Sequence, residues 1–133
     1  MKAVIFTQHG GPEVLTYTDV PDPRPRPDEV LVRVRACALN HLDLFIRKGI
    51  PGIQIPMPHI NGSDISGEIA AVGELVTGIA PGEKVLLQPG ISCGRCAACL
   101  AGNDNLCRKY TLLGYLVPGG YAEYVCAPAR NAV

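Results

Sequence analysis

Cys93-Gly-Arg-Cys96-Ala-Ala-Cys99-Leu-Ala-Gly-Asn-Asp-Asn-Leu-Cys107 places four of the chain's six cysteines within fifteen residues. Clustered thiols serve disulfides, redox dithiols, iron–sulfur clusters, structural zinc or catalytic zinc, and the spacing C-x2-C-x2-C-x7-C chooses among them. Gly94, Gly102, Asn103, Asp104 and Asn105 supply tight turns that let the backbone curl around one centre. Four thiolates so arranged suit a tetrahedral site with zinc–sulfur bonds of about 2.3 Å. Cys93 and Cys96 form one knuckle, Cys99 adds a third thiolate, and the seven-residue loop returns Cys107 to close the shell. Arg95, Arg108 and Lys109 lie alongside, where they offset surplus negative charge. A ferredoxin-type run needs three residues and a following proline at its last step, whereas this chain has seven residues and Arg108. A thioredoxin-type dithiol belongs in a βαβ setting, which is not visible here. The expected occupant is one structural Zn2+ per chain. Four protein thiolates leave no open coordination position, so such a zinc holds a loop and the chemistry must be sought elsewhere.

Composition narrows the setting. With 133 residues, 47% of them hydrophobic, the chain can bury one sizeable core, and one domain is the natural count. Twelve basic and twelve acidic residues cancel, leaving no field to attract nucleic acid or an anionic membrane. The start turns polar after Ala3-Val4-Ile5-Phe6, too short an apolar run for a signal peptide, and no later run approaches a membrane span. A cytoplasmic location is expected. Thiols stay reduced there, which disfavours disulfides and favours metal binding.

Outward from the cysteines the pattern is mostly β. Glu29–Ala36 alternates, placing Val30, Val32, Val34 and Ala36 on one face and Leu31, Arg33 and Arg35 on the other. Strand signals recur at Lys2–Thr7, Val14–Thr18, Gly67–Val72, Lys84–Leu87 and Tyr121–Ala127, punctuated by Gly-Pro turns. Many short strands with turns between them indicate a small, partly open β-barrel. Leu42, Phe45 and Ile46 fall at helical spacing, with Asn40 as N-cap, Asp43 in the first turn and Gly49 as the stop. One or two short helices are expected, and Pro21–Pro27 reads as an extended connector.

The cysteine lobe lies between Gly82-Glu83-Lys84-Val85 and Gly119-Gly120-Tyr121-Ala122-Glu123-Tyr124-Val125. Before it, in order, come His9–Leu15, Ala38-Leu39-Asn40-His41-Leu42-Asp43 and Gly62-Ser63-Asp64-Ile65-Ser66-Gly67. Together these resemble the medium-chain dehydrogenase/reductase family of zinc-containing alcohol dehydrogenases and quinone oxidoreductases. The resemblance implies a GroES-like catalytic domain over residues 1–133, with its zinc lobe at 90–110. It also implies a separate Rossmann domain binding NAD(P)H, a small-molecule substrate and assembly as a homo-oligomer. No Gly-x-Gly-x-x-Gly fingerprint occurs in these residues, so the chain alone is expected neither to hold the cofactor nor to turn over substrate.

Two departures from the family pattern matter. The cysteine that binds catalytic zinc in the alcohol dehydrogenases corresponds to Asn40, and the histidine of their Gly-His-Glu motif corresponds to Ser63. A hydroxyl is a poor zinc ligand, and Cys37 sits three positions too early to substitute. Asn40 and Ser63 instead resemble the zinc-independent quinone and enoyl reductases. The resemblance therefore implies hydride transfer to a quinone, enone or carbonyl, with Asn40 and Ser63 donating hydrogen bonds and His41 facing the cofactor. Asp43 and Asp64 complete the candidate site, and a metal centre rebuilt from His41, Asp43 and Asp64 stands as the rival.

Each residue also has a plainer role. Asn40 caps a helix, Ser63 and Asp64 are turn formers, His41 is a surface group, His59 packs locally, and Cys37 and Cys126 serve as small buried hydrophobes. The functional rivals are a free-standing zinc module for protein contacts, which would require Val133 to be a natural end, and a co-chaperonin-like ring subunit.

Overall fold

The computed structural model describes residues 1–133. Its strands are β1 (Lys2–Ile5), β2 (Thr16–Asp19), β3 (Glu29–Cys37), β4 (Ile65–Val72), β5 (Lys84–Leu87), β6 (Gly90–Ile91), β7 (Thr111–Leu112) and β8 (Tyr124–Pro128). Two helices join them, α1 (His41–Lys48) and the single turn α2 (Ala97–Leu100). β3 is the centre of an antiparallel sheet of order β5-β4-β3-β8, while β1 pairs with β2 and β6 with β7. The mostly β class and the short helices match the reading of the sequence.

Alternation along β3 holds for its first half. Val30 and Val32 are fully buried and pack with Ile65, Ile69, Leu87, Leu113, Val125 and Ala127. Register shifts between Leu31 and Val32 and between Val34 and Ala36 then break the period, and Ala36, expected on the inner face, is exposed. Beyond β8 the chain turns back so that Leu86 and Val133 exchange N–H···O bonds of 2.8 and 2.9 Å. The outer edge of β5 is thereby covered and the sheet curls into a partly open barrel. Asn131, 1% exposed, holds this return with Nδ2 bonds of 2.7 Å to the carbonyls of Gln88 and Gly90.

Helix α1 turns inward only part of the face its apolar residues mark, Ile46 with Leu42 packed beside it, and buries polar residues next to them. Asp43, Ile46 and Arg47 are buried, whereas Phe45 is 56% exposed. Ile46 joins Phe6 and Ile55 in a second small core, and Gly49, at φ 91°, ends the helix. Polar Asp43 lies inside because the loops around it supply hydrogen-bond donors, and those donors define the candidate site.

Candidate functional site

In the lobe, the knuckle at Cys93 leads into α2, which begins directly after Cys96 and carries Cys99, while a 3-10 turn at Asp104–Leu106 returns Cys107. The four sulfurs all lie within 4.8 Å of one another; Cys96 Sγ and Cys99 Sγ are 3.5 Å apart, and Cys93 Sγ and Cys99 Sγ 3.9 Å. A tetrahedron with bonds of about 2.3 Å has edges of about 3.8 Å, so the donor set fits a zinc-sized ion. The N–H groups of Cys93 and Lys109 donate to the buried Cys107 sulfur at 3.4 and 3.3 Å. The N–H groups of Arg95 and Cys96 pull the Cys93 thiol down to about 6. Cys96 moves the other way, to about 11: the Cys99 N–H draws it down, but the neighbouring thiols outweigh it. Four thiols this close cannot all ionise unless a cation shares their charge. Arg95, Arg108 and Lys109 are exposed around them. No other group of three or more Cys, His, Asp or Glu side chains in the chain is placed to hold a metal ion. A metal centre rebuilt from His41, Asp43 and Asp64 is therefore not assembled by these residues.

The second cluster forms where the start of α1 meets the Asn61–Asp64 loop, and Asp43 is its hub. Its Oδ2 accepts the Asn40 N–H at 2.7 Å and the Tyr121 hydroxyl at 2.8 Å, and its Oδ1 accepts the Gly62 N–H at 3.0 Å. The main-chain carbonyl of Asp43 accepts Asn61 Nδ2 at 2.9 Å. Asp43 is 5% exposed, and both of its carboxylate oxygens are engaged by donors from the surrounding segments. Asn40 caps the helix and also directs its side chain outward, where Nδ2 donates to the exposed carboxylate of Asp64 at 2.9 Å. An amide nitrogen carries two hydrogens, so one remains for another acceptor.

Ser63 is placed otherwise than expected. It is 5% exposed and its hydroxyl donates to the Leu113 carbonyl at 2.8 Å, tying the loop to the core. His41 is exposed on the first turn of α1, its ring 6.4 Å from that of Phe45. His59 is packed locally, as expected, buried against Phe6. Cys37 is half-buried, not fully buried, and stands beside the hub, where burial and the carboxylates of Asp43 and Asp64 push its thiol up to about 11. Burial and its bond to Asp43 raise the Tyr121 phenol above its ordinary range. Tyr121 and Asn61 were missing from the candidates. The motif around Tyr121 is visible in the sequence, but its contact with Asp43 spans 78 residues and leaves no local signal.

A lobe of four converging thiols is inserted between the paired strands β6 and β7, beside a curled four-stranded sheet and an Asn-led helix that meets a Gly-Ser-Asp turn. The profile of the alcohol dehydrogenase GroES-like domain matches residues 26–133. The chain belongs to this alcohol dehydrogenase family. An L-threonine 3-dehydrogenase of Rhizobium etli is 39% identical to it, matching all of the chain and 39% of that enzyme. A crystal structure of an NAD-dependent alcohol dehydrogenase superposes on the whole chain with a TM-score of 0.96 at 53% identity, over 39% of that structure. The cobalt- and zinc-bound thermostable alcohol dehydrogenase of Pyrobaculum aerophilum gives 0.92 at 38% identity, over 40% of that chain. This member of the family thus spans about two fifths of the length of these relatives, which are dehydrogenases. None of its helices is long and apolar enough to cross a membrane.

Proposed function

We propose that residues 1–133 form the substrate-side domain of an NAD(P)-dependent oxidoreductase that transfers hydride to a quinone, an enone or another activated carbonyl compound. Cys93, Cys96, Cys99 and Cys107 would hold one zinc, whose contribution is to fix the 90–110 lobe. The nicotinamide cofactor would be held by a Rossmann domain outside these residues, in a homo-oligomeric cytoplasmic enzyme.

The observation that carries this reading is the amide of Asn40. Hydride addition to a conjugated system builds negative charge on oxygen, and a preorganised donor lowers the energy of that state. By its resemblance to the family, Asn40 would correspond to the first catalytic-ligand position; one of its amide hydrogens is held by Asp64, which leaves the other for a substrate oxygen. Its backbone is fixed through Asp43, so the amide need not reorganise during reaction. Ser63 cannot share the role while its proton is held by Leu113. A single neutral donor is a weaker electrophile than a metal, which suits easily reduced substrates and serves alcohol oxidation poorly.

The test is NAD(P)H-dependent reduction of quinones and enones by the protein carrying its cofactor-binding domain. Asn40→Ala is expected to lower the rate about 10- to 100-fold, with the lobe zinc as the metal present. Two zincs per subunit, with benzyl alcohol oxidation abolished by mild chelation, would refute the reading.

A further inference from the structure

We infer that Tyr121 is a positioning residue for the Asn40 amide, acting through Asp43 to fix the connector Ala38-Leu39-Asn40 between β3 and α1. The inference rests on the reading of Asn40 as the hydrogen-bond donor of the site.

The connector has little of its own to hold it. Leu39 is 84% exposed and contributes almost no packing. Its main-chain anchors are the Ala38 N–H on the Asp64 carbonyl at 2.9 Å, the Asn40 N–H on Asp43 Oδ2 at 2.7 Å and the Asn40 carbonyl, which accepts the Asp43 N–H at 3.1 Å. The Tyr121 hydroxyl donates its single proton to that same Oδ2 at 2.8 Å, the shorter of its two contacts; the Ala38 carbonyl lies 3.4 Å away. The Asp43 carboxylate is thus held by three donors from three segments: the start of α1, the Gly62 turn and the residues leading into β8. Two backbone N–H groups alone would leave Oδ2 with an unmatched lone pair and the carboxylate freer to rotate. Rotation would release the N–H of Asn40, and with it the direction of the side chain that meets Asp64.

Tyr121 is itself firmly seated. Its N–H bonds the Asn61 carbonyl at 2.9 Å, its carbonyl accepts the Val4 N–H at 2.8 Å, and its ring lies against Gly62. The phenol is therefore a fixed post, and the connector is the element it steadies.

Tyr121→Phe removes the hydroxyl and keeps the ring. In this chain, amide exchange at Asn40 and Gly62 is expected to accelerate about tenfold, the equivalent of one net hydrogen bond, with Val30 and Val32 unchanged. Unchanged exchange at Asn40 and Gly62, or an equal rise at Val30 and Val32, overturns the inference. In the protein with its cofactor-binding domain, the same variant should lower kcat about 3- to 10-fold at constant KM for NAD(P)H. It should add nothing in the Asn40→Ala background. A full additional loss there overturns the inference. If Asn40→Ala alone leaves the rate intact, the donor reading of the proposed function fails, and the exchange measurement still decides whether Tyr121 tethers the connector.

Discussion

Gly62 and Cys37 meet across the floor of the site: a Cβ added to Gly62 would stand 2.7 Å from the Cys37 sulfur and 2.8 Å from the Tyr121 ring. Gly62 also has φ +101°, a conformation other residues rarely adopt. Gly62→Ala is therefore expected to destabilise the chain by about 2 kcal/mol through strain and overpacking together. Urea denaturation measures this, and a change within experimental error would contradict the packing described.

The lobe should hold one zinc per chain. Cys107→Ser removes the buried ligand, and we expect loss of the metal and loosening of residues 93–107 while the β3-centred core stays folded. Elemental analysis and amide exchange check both halves. Iron with a visible charge-transfer band, or two disulfides in a reduced preparation, would contradict the assignment.

His59 makes stability depend on pH. It is 2% exposed, with its ring 5.5 Å from that of Phe6 and Nε2 3.0 Å from the Gly114 carbonyl. Burial lowers its pKa, outweighing the carbonyls of Gly114 and Pro56, which act to raise it. The unfolded chain then takes up a proton near the ordinary histidine pKa, about 6.5, and the folded chain only at lower pH. Stability is unaffected by this group above that value and declines as pH falls below it. Denaturation midpoints at pH 7.5 and 5.5 should differ in that direction, and the difference should shrink in His59→Gln whatever that variant's absolute stability.

Residues 1–133 by themselves should not hold a nicotinamide cofactor. They contain no Gly-x-Gly-x-x-Gly turn to receive a pyrophosphate at a helix N-terminus. Fluorescence titration with NADH and NADPH should show no saturable binding at micromolar concentrations, and a micromolar dissociation constant would count against this division of labour.

What was legible in the residues alone was local. The C-x2-C-x2-C-x7-C spacing and its turn formers announced four converging sulfurs because knuckles close over a few residues. The alternation at Glu29–Val34 marked a half-buried strand because the pleat repeats every two residues, and Asn40 and Gly49 bounded α1 because helix ends need a cap and a stop.

Side-chain direction was not legible, because it depends on distant segments covering one side of an element. Ser63 resembled a donor at the site until Leu113, fifty residues on, proved to hold its proton. Phe45 falls at the apolar spacing of α1 and is exposed; Asp43, read as a first-turn residue of the helix and a member of the candidate site, is buried, because Asn40, Gly62 and Tyr121 bring it three donors. Periodicity measures how apolar a face is, whereas burial of a charged group is decided by whether the fold can satisfy its hydrogen bonds. For Asp43 that satisfaction comes partly from a tyrosine 78 residues away, a contact that exists only once the chain has folded.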